Sequence, residues 1–162
     1  INIALIEYNQ PVLGIIFAPA LGCLFFSKKN SGSYKIYTKN NLHTFKNSEK
    51  ISVKYINNEK IRVIGSRSHS NITFENWVKK KFTNFEIIEK GSSLKFCEIA
   101  EGKADIYPRF GPTSEWDIAA GHIILLEAGG KLKTIDNKDL VYNKKEDILN
   151  PHFFAYAHDA LL

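Results

Sequence analysis

The chain has 162 residues, of which 44% are hydrophobic and 24% charged, and it carries a net charge of +5. Those values fit one ordinary folded core and exclude a disordered or low-complexity chain. No apolar run approaches the ~18 residues that a membrane-spanning helix needs, and the longest, residues 118–130, is broken by His122 and Glu127.

Residues 1–7 alternate in polarity and predict a strand, although Glu7 and Asn9 stand where a secretion signal would need its apolar core. A turn at 8–10 and a second strand at 11–18 complete a hairpin. Residues 22–28 and 33–38 predict two further strands around the Asn30-Ser31-Gly32 turn, so the first part of the chain is an antiparallel meander. Residues 39–50 are polar and read as loop.

The pattern then changes. Residues 61–64 form a short apolar strand. From about residue 71, Phe74, Trp77, Val78 and Phe82 recur at helical spacing. A strand at 85–88 and a helix at 92–101, stopped by Gly102, come next. A strand at 105–107 precedes a helix at 114–128, stopped by Gly129-Gly130. Residues 131–135 and 153–157 are closing strands. The expected fold class is α/β of mixed α+β type. A meander subdomain over 1–45 is followed by an α/β subdomain over 46–162, with ligands near its strand ends.

Cys23 and Cys97 lie in separate apolar stretches and read as two reduced, buried thiols, which places the chain in the cytoplasm. A peripheral position on the cytoplasmic face of the inner membrane is the variant of that expectation. The lysines are scattered, as on a solvated surface. Aromatic and basic residues do not interleave, so nucleic acid is not the expected partner, although a mild positive field suits a small polyanion.

Three segments carry candidate chemistry. Ser114-Glu115-Trp116-Asp117 precedes an apolar run and fits a helix capping box. Asp117 is either that cap or, ionised in the field of a helix N-terminus, a ligand for a hard cation. The following Ala119-Ala120-Gly121 permits close approach of backbone or ligand. In Gly91-Ser92-Ser93-Leu94-Lys95, a first-turn lysine opposes the helix dipole. Either Lys95 reaches into solvent or a bound phosphate reverses the sign. Ser66-Arg67-Ser68-His69 follows a strand and is either a turn or a ligand loop. His43, His122, His152 and His158 show no metal-site spacing and read as structural or exposed.

Taken in order, these segments resemble the inositol-monophosphatase superfamily, most closely its 3′(2′),5′-bisphosphate nucleotidase branch. The runs that carry the resemblance include Gly91-Ser92-Ser93-Leu94-Lys95-Phe96-Cys97, Tyr107-Pro108-Arg109-Phe110-Gly111-Pro112-Thr113 and Trp116-Asp117-Ile118-Ala119-Ala120-Gly121. Val12-Leu13-Gly14 with Ala18-Pro19, the Ala100 to Asp105 run and Leu149-Asn150-Pro151 extend it over nearly the whole chain.

The resemblance implies a layered αβαβα fold and a Mg²⁺-dependent phosphatase. Its reaction would remove the 3′-phosphate of adenosine 3′,5′-bisphosphate to give AMP, a step connected with sulfur assimilation. Asp117 would be catalytic, binding both Mg²⁺ and substrate, and Ser66, His69, Gly91 and Lys95 would contact the nucleotide. The family's Glu-Glu and Asp-Pro-x-Asp-Gly-Thr metal motifs are not found in this chain. The chain also contains no methionine and opens in mid-strand. It is therefore expected to be inactive by itself, with an N-terminal half of the same enzyme, or a second copy of itself, as partner. An inositol-phosphate phosphatase and a ligand-binding remnant without turnover are the alternative readings.

Overall fold

A computed structural model describes residues 1–37, 45–54, 60–66, 72–144 and 146–162. The side chains of Phe45 and Ser66 are not described.

The meander forms a five-stranded antiparallel sheet: β1 (Asn2–Glu7), β2 (Gln10–Ala18), β3 (Cys23–Lys28), β4 (Ser33–Tyr37) and β5 (Glu49–Ile51), in that spatial order. The expected loop at 39–50 thus ends in a strand. β5 is only three residues long and begins with Glu49-Lys50, so it offered no alternating signature, and only its pairing with β4 defines it. Along β2 the even positions point inward: Ile16 is buried and Gly14 lies against a helix. The odd positions Leu13, Ile15 and Phe17 join Ile3, Leu5, Leu24 and Phe26 on the outer face. That outer face is apolar and uncovered by described residues, with Ile3 54% and Leu5 51% exposed.

The second sheet holds β6 (Ile61–Ser66), β7 (Phe85–Lys90), β8 (Ile106–Arg109), β9 (Lys131–Thr134) and β10 (Phe153–Tyr156), ordered β7-β6-β8-β10-β9. β6 runs parallel to both β7 and β8, whereas β10 is antiparallel to β8 and β9. Where β6 meets β8 the ladder is short, and a side-chain clamp supplements it. Arg62 donates to Asp105 through Nε (3.0 Å to Oδ2) and Nη2 (2.7 Å to Oδ1), while its backbone N–H donates to Oδ2 at 2.7 Å.

Three helices complete the layers. α1 (Ile72–Lys81) covers one face of the second sheet, with Val78 buried against Val63, Ile106 and Tyr156 and with Trp77 stacked on Phe154. α2 (Leu94–Ala100) and α3 (Glu115–Glu127) lie between the two sheets. Residues 118–125 of α3 are all buried, because the helix has a sheet on one side and α2 with the second sheet on the other. The layers are therefore sheet, helices, sheet, helix. Two glycines make α3 fit. A Cβ on Gly14 would come within 2.5 Å of the Ala120 carbonyl oxygen, and one on Gly121 within 2.5 Å of the Phe96 ring. The close approach expected at 119–121 is thus made by strand β2 and by α2. At the other end of α3, the Glu127 carboxylate accepts the backbone N–H groups of Asn30, Ser31 and Gly32 at 2.8, 3.0 and 2.8 Å, fixing the β3–β4 turn.

Both cysteines are free and buried, and burial raises their thiol pKa values, so they behave as small apolar residues. His122 is buried, with Nδ1 2.7 Å from the Tyr142 hydroxyl. Among the described residues, no helix is long and apolar enough to cross a membrane.

Candidate functional site

β8 ends at Arg109, α2 begins at Leu94 and α3 begins at Glu115, and their neighbouring ends bring together residues distant in sequence. Asp117 occupies the third position of α3 and its carboxylate Oδ2 accepts the Ser114 backbone N–H at 2.8 Å. The capping role read from the sequence is therefore present. Yet Asp117 is exposed, and a carboxylate has lone pairs to spare after one such bond. Gly121, one turn later, faces the Phe96 ring of α2, which puts Asp117 on the α2 side of α3. Its charge reaches the Tyr107 hydroxyl, whose pKa it helps to raise after the larger effect of burial.

The lysine of the second segment does not reach into solvent. Lys95 is only 6% exposed, and its ammonium lies 5.3 Å from the centre of the Tyr107 ring. Among the described residues its ammonium makes a long 3.5 Å hydrogen bond to the Ser92 carbonyl oxygen, and no carboxylate pairs with it. Burial first, and then the nearby Arg109 guanidinium, lower its pKa to about 8. Arg109 donates Nε to the Gly111 carbonyl oxygen (3.2 Å) and Nη2 to that of Pro112 (2.8 Å), also without a described carboxylate. Lys95 and Arg109 are thus two neighbouring cations with no counter-charge among the described residues, and an anion between them would relieve both burial and repulsion.

The helix here is shorter than expected, seven residues at 94–100 rather than ten at 92–101. Ser92 takes a positive φ of 54°, and Ser93 gives its hydroxyl to Asn2 Oδ1 at 2.7 Å rather than capping the helix. Gly91 is exposed, with open space where a Cβ would sit. Glu115 accepts the Asn143 backbone N–H at 3.0 Å, a structural bond that accounts for it. Ser66 ends β6, while Arg67, Ser68 and His69 lie outside the described residues, as does His43. The structure therefore brings Lys95, Tyr107 and Arg109 together, with Asp117 near enough for its charge to act on Tyr107. Sequence reasoning gave Tyr107 and Arg109 no role. The available signal was an arginine at the C-terminal end of an α/β strand, where ligands gather.

A hard divalent cation takes about six oxygen ligands, usually with more than one carboxylate. Among the described residues no three His, Cys, Asp or Glu side chains gather into such a set, so Asp117 is one donor and does not by itself make a metal site. Two hollows lie elsewhere. One, of about 380 Å³, opens between β1 and the Glu115, Trp116 and Ala119 face of α3. The other, of about 560 Å³, lies beside Trp77, Phe154 and Tyr156. Neither is lined by Asp117 or Lys95.

Comparison with known proteins places this geometry in context. The sequence pattern of the Inositol monophosphatase family matches residues 1–162. The chain is 43% identical over 159 residues to the 3′(2′),5′-bisphosphate nucleotidase CysQ of Buchnera aphidicola subsp. Acyrthosiphon pisum, covering 97% of this chain and 56% of that protein. It is 36% identical over 157 residues to the CysQ of Escherichia coli K12, covering 94% and 58%. Among solved structures, CysQ from Bacteroides thetaiotaomicron superposes with a TM-score of 0.84 at 38% identity, over 96% of this chain and 61% of that one. The chain spans little more than half the length of these relatives.

Proposed function

Because the chain belongs to the inositol monophosphatase family, we propose that it forms part of a cytoplasmic Mg²⁺-dependent phosphatase that removes the 3′-phosphate of adenosine 3′,5′-bisphosphate to give AMP. The observation that supports this most is the buried Lys95 near Arg109 with no carboxylate partner among the described residues, together with an exposed Asp117 at a helix N-terminus. In this reading Lys95 and Arg109 hold a phosphate of the substrate, and charge-assisted bonds orient it. Asp117 is one carboxylate ligand of Mg²⁺. The metal would supply Lewis-acid activation of water and of the phosphoryl oxygen. Ser66, His69 and Gly91 complete the nucleotide contacts, and the step belongs to sulfur assimilation.

One carboxylate is too few, so the remaining ligands come from a segment that also covers the apolar outer face of the first sheet. An N-terminal half of the same enzyme fits that role. The 162 residues alone are expected to release no phosphate from the bisphosphate with Mg²⁺ and to aggregate through that face and the open β1 edge. The decisive experiment restores the partner segment and compares Asp117→Asn with wild type. Asn caps a helix about as well as Asp, so the melting temperature should hold. Mg²⁺ affinity and rate should both collapse. An Asp117→Asn enzyme with normal activity and normal Mg²⁺ dependence rules out the assignment.

A further inference from the structure

Two cations that share a pocket without an anion repel each other, and something must keep both aimed at the same space. Among the described residues, Tyr107 is associated with both. Tyr107 is 5% exposed and is wedged edge-on between the Phe96 ring (5.7 Å, 81°) and the Phe153 ring (5.7 Å, 87°), so it cannot turn away. Its face carries the Lys95 ammonium at 5.3 Å, inside the ~6 Å range of a cation–π contact. Arg109 follows Tyr107 by two residues on β8 and so shares its face of the strand, and the guanidinium acts on the Tyr107 hydroxyl both as a charge and as a hydrogen-bond donor. Among the described residues the guanidinium also donates to the carbonyls of Gly111 and Pro112.

We propose that Tyr107 is a positioning residue for the anion site: its ring face aims Lys95 and its hydroxyl aims Arg109, so that the two cations converge on one phosphate. This rests on the reading of Lys95 and Arg109 as the phosphate-holding pair. Tyr107 touches no substrate atom in this scheme and acts through the two cations. A ring is suited to the task because its quadrupole steadies the ammonium without neutralising it, leaving the charge free for the ligand. A carboxylate at the same place would compete with the phosphate.

The test is a double-mutant cycle on the chain with its partner segment restored, read by calorimetric titration with adenosine 3′,5′-bisphosphate. Tyr107→Phe keeps the ring, its packing and the ammonium contact, and removes only the hydroxyl. It should weaken binding by about five-fold, about the net worth of one hydrogen bond. In an Arg109→Gln background the same change should have no further effect, because the group it positions is gone. In a Lys95→Met background the five-fold effect should persist. Near-unchanged melting of Tyr107→Phe accompanies the expected result. If Tyr107→Phe no longer melts cooperatively, or if its loss multiplies undiminished on that of Arg109→Gln, Tyr107 is a packing residue and the proposal is overturned. If wild type itself does not bind the bisphosphate and neither Lys95→Met nor Arg109→Gln changes anything, the anion-site reading fails first and this inference falls with it.

Discussion

Lys35 and Lys95 are buried to the same degree, each 6% exposed, and each lies over an aromatic ring, yet their surroundings treat them in opposite ways. Lys35, on β4, meets the Glu101 carboxylate at 2.6 Å, and Glu101 in turn also takes Lys103 at 3.0 Å. Burial, the largest single effect, pushes the Lys35 pKa down, but the bonds to Glu101 and Tyr37 and the Glu101 charge together outweigh it and the net shift is upward. Lys95 has only burial and a like charge, and its pKa falls to about 8. One lysine is a closed structural pair. The other is an open site. The difference teaches that burial alone does not mark a functional lysine; burial with no counter-charge among the neighbours does.

The largest expected effect breaks the closed pair. Glu101→Gln leaves Lys35 buried without its counter-charge and should cost about 3–5 kcal/mol in a urea titration. A cost under about 1 kcal/mol would mean that Lys35 finds solvent easily and that the contrast with Lys95 is false.

A third buried base sharpens the contrast from the acid side. His122 is held against the neutral Tyr142 hydroxyl, and burial lowers its pKa from 6.5 to about 4, with Asp139 only partly opposing. Its folded form prefers the neutral ring, so the stability it contributes is intact above pH 6.5. That contribution is lost as pH falls from 6.5 toward 4, by about 3 kcal/mol. His122→Gln should flatten this part of the stability curve relative to wild type. Parallel curves would show that His122 is not held neutral.

The smallest effect opens no new charge. Lys95→Met removes a buried amine that no carboxylate pairs with among the described residues, and it should leave stability unchanged or raise it by about 1–2 kcal/mol at pH 7, while weakening anion binding. The pH dependence gives the sign independently. With a folded pKa near 8 and an unfolded value of 10.5, the unfolded chain binds more protons between these values, so stability should rise with pH across that window. Lys35, raised when folded, contributes the reverse: stability that is lost only as pH climbs above 10.5. Lys95→Met should erase the rise, and a Lys95→Met protein clearly less stable than wild type at pH 7 would show the amine to be structural.

Much of the fold was legible locally. The first four strands are apolar runs bounded by turn residues, and the helix at 115–127 has a capping acid at one end and glycines at the other, so both patterns survive in the sequence. β5 was not legible, because a three-residue polar strand differs from a loop only through its partner. The site was half legible. Asp117 and Lys95 stood out as a capping acid and as a lysine against a helix dipole, whereas Tyr107 and Arg109 lay unassigned in a run that simply matched the family.

By itself, the sequence determined most of the elements, the capping acid and the family resemblance, since each depends on residues within a few positions of one another. Tertiary structure alone decided that β10 lies between β8 and β9, that Gly121 admits the Phe96 ring, and which lysine is neutralised. Lys35 and Glu101 are 66 residues apart in the chain, and Lys95 finds no such acid. Charge compensation is a property of distance in space, falling off over a few ångströms, and a linear pattern of lysines and glutamates contains no record of it.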